Sequence, residues 1–226
     1  MTNIAEKQHR ILYFDYLRVF AIVAVMTVHI AAMNWHAADV NGIDWQVFNF
    51  YDSISRWGVP IFVMISGALF LNRDDIPVKT IYSKYILRLV IAYFVWSFIY
   101  YLFQGESIVQ QLVGLVQPGK MARLLVILSG HYHLWFIPML IGIYICLPVT
   151  KQIVKNNKIA LYFLVISFIF WFLFPQIVLL IKDFGGERLI TITNSINNNL
   201  INGTRMEFVK NYTFYFILGY EVNSKT

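Results

Sequence analysis

Long apolar runs constrain this chain more than any other feature. The run from Ile159 to Ile181 contains no charged residue, and comparable runs recur along the 226-residue sequence. A transmembrane helix needs about 20 predominantly apolar residues. With 58% hydrophobic and 13% charged residues, the chain has too few charged side chains to cover a water-soluble core. The sequence therefore predicts an integral membrane protein.

The apolar runs predict an all-α fold, a polytopic transmembrane helix bundle with about six membrane spans in a single domain, 1–226. Two of the runs, the second and the sixth, are short for a span. Residues 108–128 mix apolar side chains with glutamines, a Pro-Gly pair and two cations, which predicts an interfacial or loop segment. The predicted spans are Ile11–Trp35, Trp57–Leu71, Tyr85–Phe103, Leu134–Val149, Ile159–Ile181 and Phe208–Val222.

The distribution of basic residues predicts the topology. Short loops rich in Lys and Arg remain in the cytoplasm, so we expect a multi-pass protein of the inner (plasma) membrane with cytoplasmic N- and C-termini. The net charge of +6 then reflects topology and contacts with membrane lipids, not nucleic acid. Trp35, Trp45, Trp57 and Trp135 are expected near the outer ends of spans one, two and four. The basic residues on the predicted cytoplasmic side are Lys7, Arg10, Arg18, Arg73, Lys79, Lys84, Arg88, Lys151, Lys155, Lys158 and Lys225.

Three ionisable groups interrupt the first apolar run, "DYLRVFAIVAVMTVHI" (Asp15 to Ile30). Helical residues advance by about 100°, so Asp15, Arg18, His29 and the later His36 share one face. A rise of about 1.5 Å per residue separates Arg18 from His29 by roughly 16 Å along the axis. Ionisable groups inside a bilayer are costly unless they face protein or water, so this face predicts an internal polar cavity.

Each of these groups also has a simpler explanation. Arg18 can extend to the headgroups with Asp15 as its ion-pair partner, three residues away. A buried histidine is often a hydrogen-bonded packing residue. Because a neutral imidazole can accept a proton, His29 is nevertheless a candidate general base.

Four sequence blocks follow one another along nearly the whole chain. The first is "DYL" with Arg18 and His29, and the others are Ser53 to Leu71, Tyr132 to Val149 and Tyr212 to Val222. Together they resemble the membrane-bound acyltransferase-3 family, and within it the O-acetyltransferases of the enterobacterial common antigen and related surface polysaccharides. Members of that family are usually longer, so we expect its C-terminal helices to be missing from this sequence.

The resemblance implies transfer of an acyl group, usually acetyl, from acetyl-CoA or another acyl-CoA to a sugar hydroxyl. The acceptor would be a cell-surface polysaccharide or its lipid-linked precursor. A base such as His29 would take the hydroxyl proton, with Arg18 as its catalytic partner, and the thioester already has a good leaving group, so no metal is needed. Candidate ligands for the phosphates of coenzyme A are Arg18, Arg73, Lys84 and Arg88. The positive-inside rule alone would also place cations there.

Acceptor binding is expected at His133, Trp135, Arg56 and Ser66. The Trp135 indole can stack on a sugar ring, and Arg56, expected beside the outer mouth, can bind a phosphate of a lipid-linked sugar. The alternatives are an aromatic belt for Trp135, a surface position for Arg56, and helix packing for Ser66 and its neighbour Gly67.

Two other functions fit the same sequence. A polysaccharide exporter or flippase would need a continuous water path, although the chain shows no internal symmetry of the kind found in many transporters. An inactive, truncated family member would show no chemical effect of substitutions at His29.

Overall fold

The computed structural model describes residues 12–35, 38–73, 76–103, 124, 127–184, 186, 189, 191, 193 and 212–224. All regular secondary structure in these residues is helical, which confirms the predicted all-α fold. The helices are α1 (Leu12–Trp35), α2 (Ile43–Ser55), α3 (Gly58–Leu71), α4 (Val78–Phe103), α5 (Phe136–Ile145), α6 (Leu147–Val154), α7 (Asn157–Phe168 continued by Ile169–Leu173 and Phe174–Phe184) and α8 (Tyr212–Ser224).

The polytopic bundle is also confirmed. Within the described ranges, four helical segments are long and apolar enough to cross a membrane, namely Leu12–Met33, Ile43–Leu71, Val78–Phe103 and Asn157–Ile181. A fifth candidate is the pair Tyr132–Ile145 and Leu147–Val154, bent by 59°. Pro148 explains this bend, because it has no amide hydrogen and its ring clashes with the carbonyl four residues earlier. The predicted sixth span corresponds to α8, which has 13 residues.

The second span is longer than the predicted Trp57–Leu71. It starts at Ile43 and runs for 29 residues, with a break only at Arg56 and Trp57. Pro60 accounts for the break, since it lacks the amide that would bond to the Arg56 carbonyl. Both residues of the break keep near-helical angles, with ψ of -15° and -14°. The predicted Trp57–Leu71 corresponds to α3 alone, and the polar residues of α2 explain why the sequence did not reveal the preceding helix.

The described parts of the chain form two compact units, the first comprising Met1–Asn72 and Lys158–Thr226 and the second Arg73–Asn157. In the first unit, α2 and α3 together run antiparallel to α1. Consequently the break between α2 and α3 lies level with the middle of α1. Three contacts fix this register: Trp35 on Trp45 (ring centroids 6.2 Å apart), Ala24 on Gly58, and Phe14 on Ala68.

Two glycines allow α3 and α8 to touch through their backbones. A Cβ added at Gly67 would overlap the Phe216 carbonyl oxygen, and one added at Gly219 would overlap that of Met64. Small residues serve this purpose in membrane helix pairs because they permit close packing without a hydrophobic driving force. The packing alternative for the Ser66–Gly67 block is thus confirmed at Gly67.

In the first unit, a hydrogen bond joins the start of α1 to the end of α8. The Tyr13 hydroxyl donates to Asn223 Oδ1 at 2.6 Å, so the beginning of α1 and the end of α8 lie at the same end of this unit. Farther along, Phe172 of α7 packs on Phe214 near the start of α8, with ring centroids 5.1 Å apart. The first unit therefore gathers α1, α2, α3, α7 and α8.

The second unit consists of α4, the turn Tyr132–Trp135, α5 and α6. Its α4 begins after Pro77, seven residues earlier than the predicted third span, and includes a π-helical segment at Ile81–Ile86. The Tyr93 hydroxyl donates to the Leu128 carbonyl at 3.0 Å, which ties α4 to the segment before α5. Short π-helical segments frequently occur at functional sites.

Replacing Gly67 by Ala should destabilise the protein. Alanine normally stabilises a helix relative to glycine, but here its methyl group would force α3 and α8 apart at a cost of about 1–3 kcal/mol. The measurement is thermal denaturation in detergent. Gly142→Ala is the matched control, because nothing lies within 4 Å of a Cβ added there. Equal melting temperatures for the two variants would contradict the close backbone contact.

The depth of the α2–α3 break can be measured with spin labels. In a Cys146→Ser background, a label at Trp57→Cys should collide readily with oxygen and poorly with a water-soluble nickel complex, because it lies at mid-span. A label at Val40→Cys, between α1 and α2, should show the opposite preference. Similar accessibilities at the two positions would place Trp57 at the membrane surface and refute the 29-residue span.

Candidate active site

The first helix presents its ionisable residues as the sequence predicts. Because α1 is unbroken from Leu12 to Trp35, Asp15, Arg18 and His29 lie on one face. Arg18 Nη1 and Asp15 Oδ1 form an ion pair at 2.7 Å, and both side chains are partly exposed. This pair holds the guanidinium near the start of α1. His36 lies outside the described residues.

His29 lies in the other half of α1, roughly 16 Å from Arg18 by the helical rise. Its side chain is partly buried, and it has a contact within the protein. In sequence, His29 is about halfway between Ala24 and Trp35, the two residues that contact Gly58 and Trp45. The residue about halfway between Trp45 and Gly58 is Asp52. By this register, Asp52 of α2 lies level with His29.

Arg56 and Trp57 were predicted at the outer end of span two. Both lie at the break between α2 and α3, level with the middle of α1. That prediction assumed a span beginning at Trp57, whereas the helical segment begins at Ile43. Arg56 Nε donates to Asp52 Oδ2 at 2.7 Å, and Asp52 is only 3% exposed.

Ser66 is in a different half of the first unit from His29. It precedes Gly67 in α3, close to the contact of Phe14 with Ala68, and therefore lies at the level of Arg18. Its hydroxyl donates to the Phe62 carbonyl within its own helix at 3.0 Å. The structure thus brings Ser66 toward the Arg18 end and not toward the histidine.

A cleft of about 250 Å³ opens between α1, α3 and α8. Its lining is mostly apolar and includes Leu17, Met64, Gly219 and Asn223, but neither Arg18 nor His29. This cleft is therefore different from the polar cavity that the ionisable face of α1 predicts.

In the second unit, three of the predicted phosphate ligands lie around the beginning of α4. Arg73 Nη1 donates to the Tyr85 hydroxyl at 3.0 Å, and Lys151 Nζ donates to the Arg73 carbonyl at 2.8 Å. Lys84 lies beside the Tyr85 ring, and Arg88 follows one turn later on the same helix face, with both cations exposed. From the sequence, Lys151 was expected to contribute only to topology, and no sequence pattern indicated the participation of Tyr85.

His133 and Trp135 occupy the turn that precedes α5. His131 stacks on Tyr100 with ring centroids 4.4 Å apart and lies 4.8 Å from the His133 ring. Trp135 remains 44% exposed. Neither Tyr100 nor His131 was predicted from the sequence, although the "HYH" spacing at the start of the family block is a signal for His131.

These two groups lie at opposite ends of α4. From Lys84 to Tyr100 the helix rises by about 24 Å, most of the hydrocarbon thickness of a bilayer. Cations therefore gather at the beginning of the helix, and histidine and aromatic side chains gather at its end. Within the described ranges, no three His, Cys, Asp or Glu side chains come together as metal ligands would.

Comparison with known families matches residues 11–225 to the acyltransferase domain of the acyltransferase-3 family. No curated protein and no solved structure matches the chain. The matched range covers almost the entire sequence and includes every helix, both ends of α4 and the ionisable face of α1. The chain therefore belongs to the acyltransferase-3 family and is a membrane acyltransferase.

Proposed function

We propose that this protein is an O-acyltransferase that moves an acetyl group from acetyl-CoA, or another acyl group from its CoA thioester, to a sugar hydroxyl. The acceptor is a cell-surface polysaccharide or its lipid-linked precursor. Family membership supplies the acyl transfer. The observation that carries the proposal is the position of His29, a partly buried histidine on the same face of α1 as the Arg18–Asp15 pair.

His29 acts as the general base in this proposal. The sugar oxygen attacks the thioester carbonyl carbon while its proton passes to the imidazole, and a tetrahedral oxyanion forms. The carbon–sulfur bond then breaks, and the leaving thiolate recovers the proton from His29. The products are the sugar ester and free coenzyme A, so the atoms and charges balance.

The acyl donor requires cations for its phosphates. In the first unit Arg18 is the candidate, and in the second unit Arg73, Lys84 and Arg88 are the candidates. Arginine can bind phosphate oxygens through two parallel hydrogen bonds, and lysine contributes a mobile charge. The bond from Lys151 to the Arg73 carbonyl and the bond from Arg73 to Tyr85 support a preformed arrangement at the start of α4.

The acceptor sugar is assigned to the opposite end of α4. His133 supplies a polar contact there, and the exposed Trp135 ring offers an apolar face for a pyranose. The stacked Tyr100 and His131 rings support the turn that carries both residues. Donor phosphates at one end of a membrane helix and sugar at the other fit a protein that joins reactants from the two sides of a membrane.

We place the protein in the inner (plasma) membrane with both termini in the cytoplasm. The hydrogen bond between Tyr13 and Asn223 supports a common side for the two ends of the chain. The excess of Lys and Arg in the loops on that side supports the cytoplasmic assignment.

The direct test is transfer of radiolabelled acetyl from acetyl-CoA to host glycan lipids by protein in native membranes. His29→Ala should lower the rate by about 10²–10⁴-fold, the usual contribution of general base catalysis. Thr27→Ala is the matched control, because it alters the same helix and its hydroxyl bonds only within that helix, to the Val23 carbonyl.

Arg18→Ala should weaken the use of acetyl-CoA, seen as a higher KM for the donor. Equal labelling by the wild type and His29→Ala would remove the catalytic assignment. Movement of lipid-linked sugar without acetyl-CoA, and without any labelling, would instead identify an exporter.

A further inference from the structure

An ion pair lies at the middle of the second candidate membrane span. Asp52, near the end of α2, is 3% exposed, and its Oδ2 accepts from Arg56 Nε at 2.7 Å and from Nη2. The Arg56 side chain is 63% exposed. Ile43–Leu71 is the span concerned, and Arg56 is almost equidistant from its ends.

A charged pair at this depth requires an explanation. Isolated charges are costly in the hydrocarbon region, and those found there almost always face protein or water and mark functional pathways. The break lies level with the middle of α1, and the centre of a hydrocarbon core about 30 Å thick is about 15 Å from either face, so Arg56 cannot easily reach a headgroup. A phosphate of a lipid-linked sugar lies at headgroup depth, which disfavours the earlier assignment of Arg56 to that phosphate.

The pair is level with the proposed base. Of the described helices, α2 has its main contact with α1, so the buried Asp52 carboxylate faces α1. The register set by the Trp35–Trp45 and Ala24–Gly58 contacts places Asp52 at the same level along α1 as His29. Arg56 follows one helical turn later, a rise of about 6 Å. The guanidinium-bearing residue is therefore about one helical turn from the level of the base.

The guanidinium retains hydrogen-bonding capacity toward its exposed side. Arginine has five N–H donors, and in the described part of the chain two of its nitrogens, Nε and Nη2, are directed at Asp52. Asp52 thus fixes one edge of the group and leaves the other edge available.

We propose that Arg56 is a catalytic residue that stabilises the oxyanion of acyl transfer, and that Asp52 is the positioning residue that orients it. This inference rests on the proposed function. When the sugar oxygen bonds to the thioester carbon, the carbonyl oxygen gains the negative charge and Arg56 donates to it. The sugar proton goes to His29, and collapse of the intermediate breaks the carbon–sulfur bond. Donors aimed at such an oxyanion are typically worth about 10²–10³ in kcat.

The first test separates kcat from KM in native membranes. Arg56→Gln should lower kcat by about 10²–10³-fold while the KM values for acetyl-CoA and for the glycan lipid change little. Arg56→Lys should retain part of the rate, because it keeps the charge but loses the planar group. Asp52→Asn should lower kcat less than Arg56→Gln does, and Asp44→Asn, an exposed change in the first turn of the same helix, should leave it unchanged.

The second test is chemical rescue, which a merely structural pair would not show. Millimolar guanidine should restore part of the activity of Arg56→Ala, because the small cation can occupy the vacated position beside Asp52. It should not restore Arg56→Ala when Asp52→Asn is also present, and it should not restore His29→Ala. Insertion and melting temperature of each variant are measured in parallel, and an Arg56→Ala protein that melts early but is not rescued counts against the proposal.

Other results would overturn the inference. Full activity of Arg56→Gln together with loss of activity in His29→Ala would remove Arg56 from catalysis and leave the proposed function intact. A rise in the KM for the glycan lipid with unchanged kcat would assign Arg56 to acceptor binding instead. Absence of transfer by the wild type would refute the proposed function, and the inference would fall with it.

Discussion

The cost of charge in hydrocarbon is the constraint on which the arrangement of the first unit depends. In the candidate spans that the structure describes, each arginine of this unit has a carboxylate within one helical turn: Arg18 has Asp15 on its N-terminal side, and Arg56 has Asp52. Pairing within one helix lets a charge enter the membrane together with its counterion, so insertion does not await contact with another helix. The two pairs lie at different levels along α1, so different substrate groups can reach the two arginines. Arg18 is near a helix start where phosphates can approach, and Arg56 is at mid-span where only uncharged substrate groups come easily.

Close backbone packing fixes the positions of these residues by setting the register between the helices. Gly58 sits against α1 so tightly that a Cβ there would lie 2.9 Å from the Ala21 carbonyl oxygen. This contact sets how far α2 is shifted along α1, and thereby which residue of α2 lies level with His29. Gly67 and Gly219 set the position of α8 on α3 in the same way. In a membrane, where apolar side chains gain little by leaving lipid, such backbone contacts are a principal source of a fixed register.

Helical periodicity was sufficient to predict the face of α1 that carries Asp15, Arg18 and His29, because this prediction needs only an unbroken helix. The same periodicity did not identify α2 at the second span, because the polar residues of α2 diluted the apolar signal and Trp57 resembled an interfacial aromatic. The Asp52–Arg56 pair was still accessible to sequence reasoning through its i, i+4 spacing, had α2 been recognised. Contacts such as Arg73 with Tyr85 or Tyr100 with His131 join residues distant in sequence, and no local pattern specifies them.

An ion pair with no net charge at mid-span suits a reaction in which a substrate oxygen is charged only in the transition state and the tetrahedral intermediate. In the proposed reaction, the thioester carbonyl and the sugar hydroxyl are both uncharged at the start, so Arg56 gains little by binding them and remains compensated by Asp52. As the tetrahedral intermediate forms, negative charge develops on one oxygen, and in a medium of low dielectric constant its attraction to a fixed guanidinium is much stronger than in water. The interaction is therefore concentrated in the transition state, which is the condition for it to raise kcat instead of merely tightening substrate binding. A cation bound to headgroup phosphates could not act in this way, because its partner would carry full charge throughout the reaction.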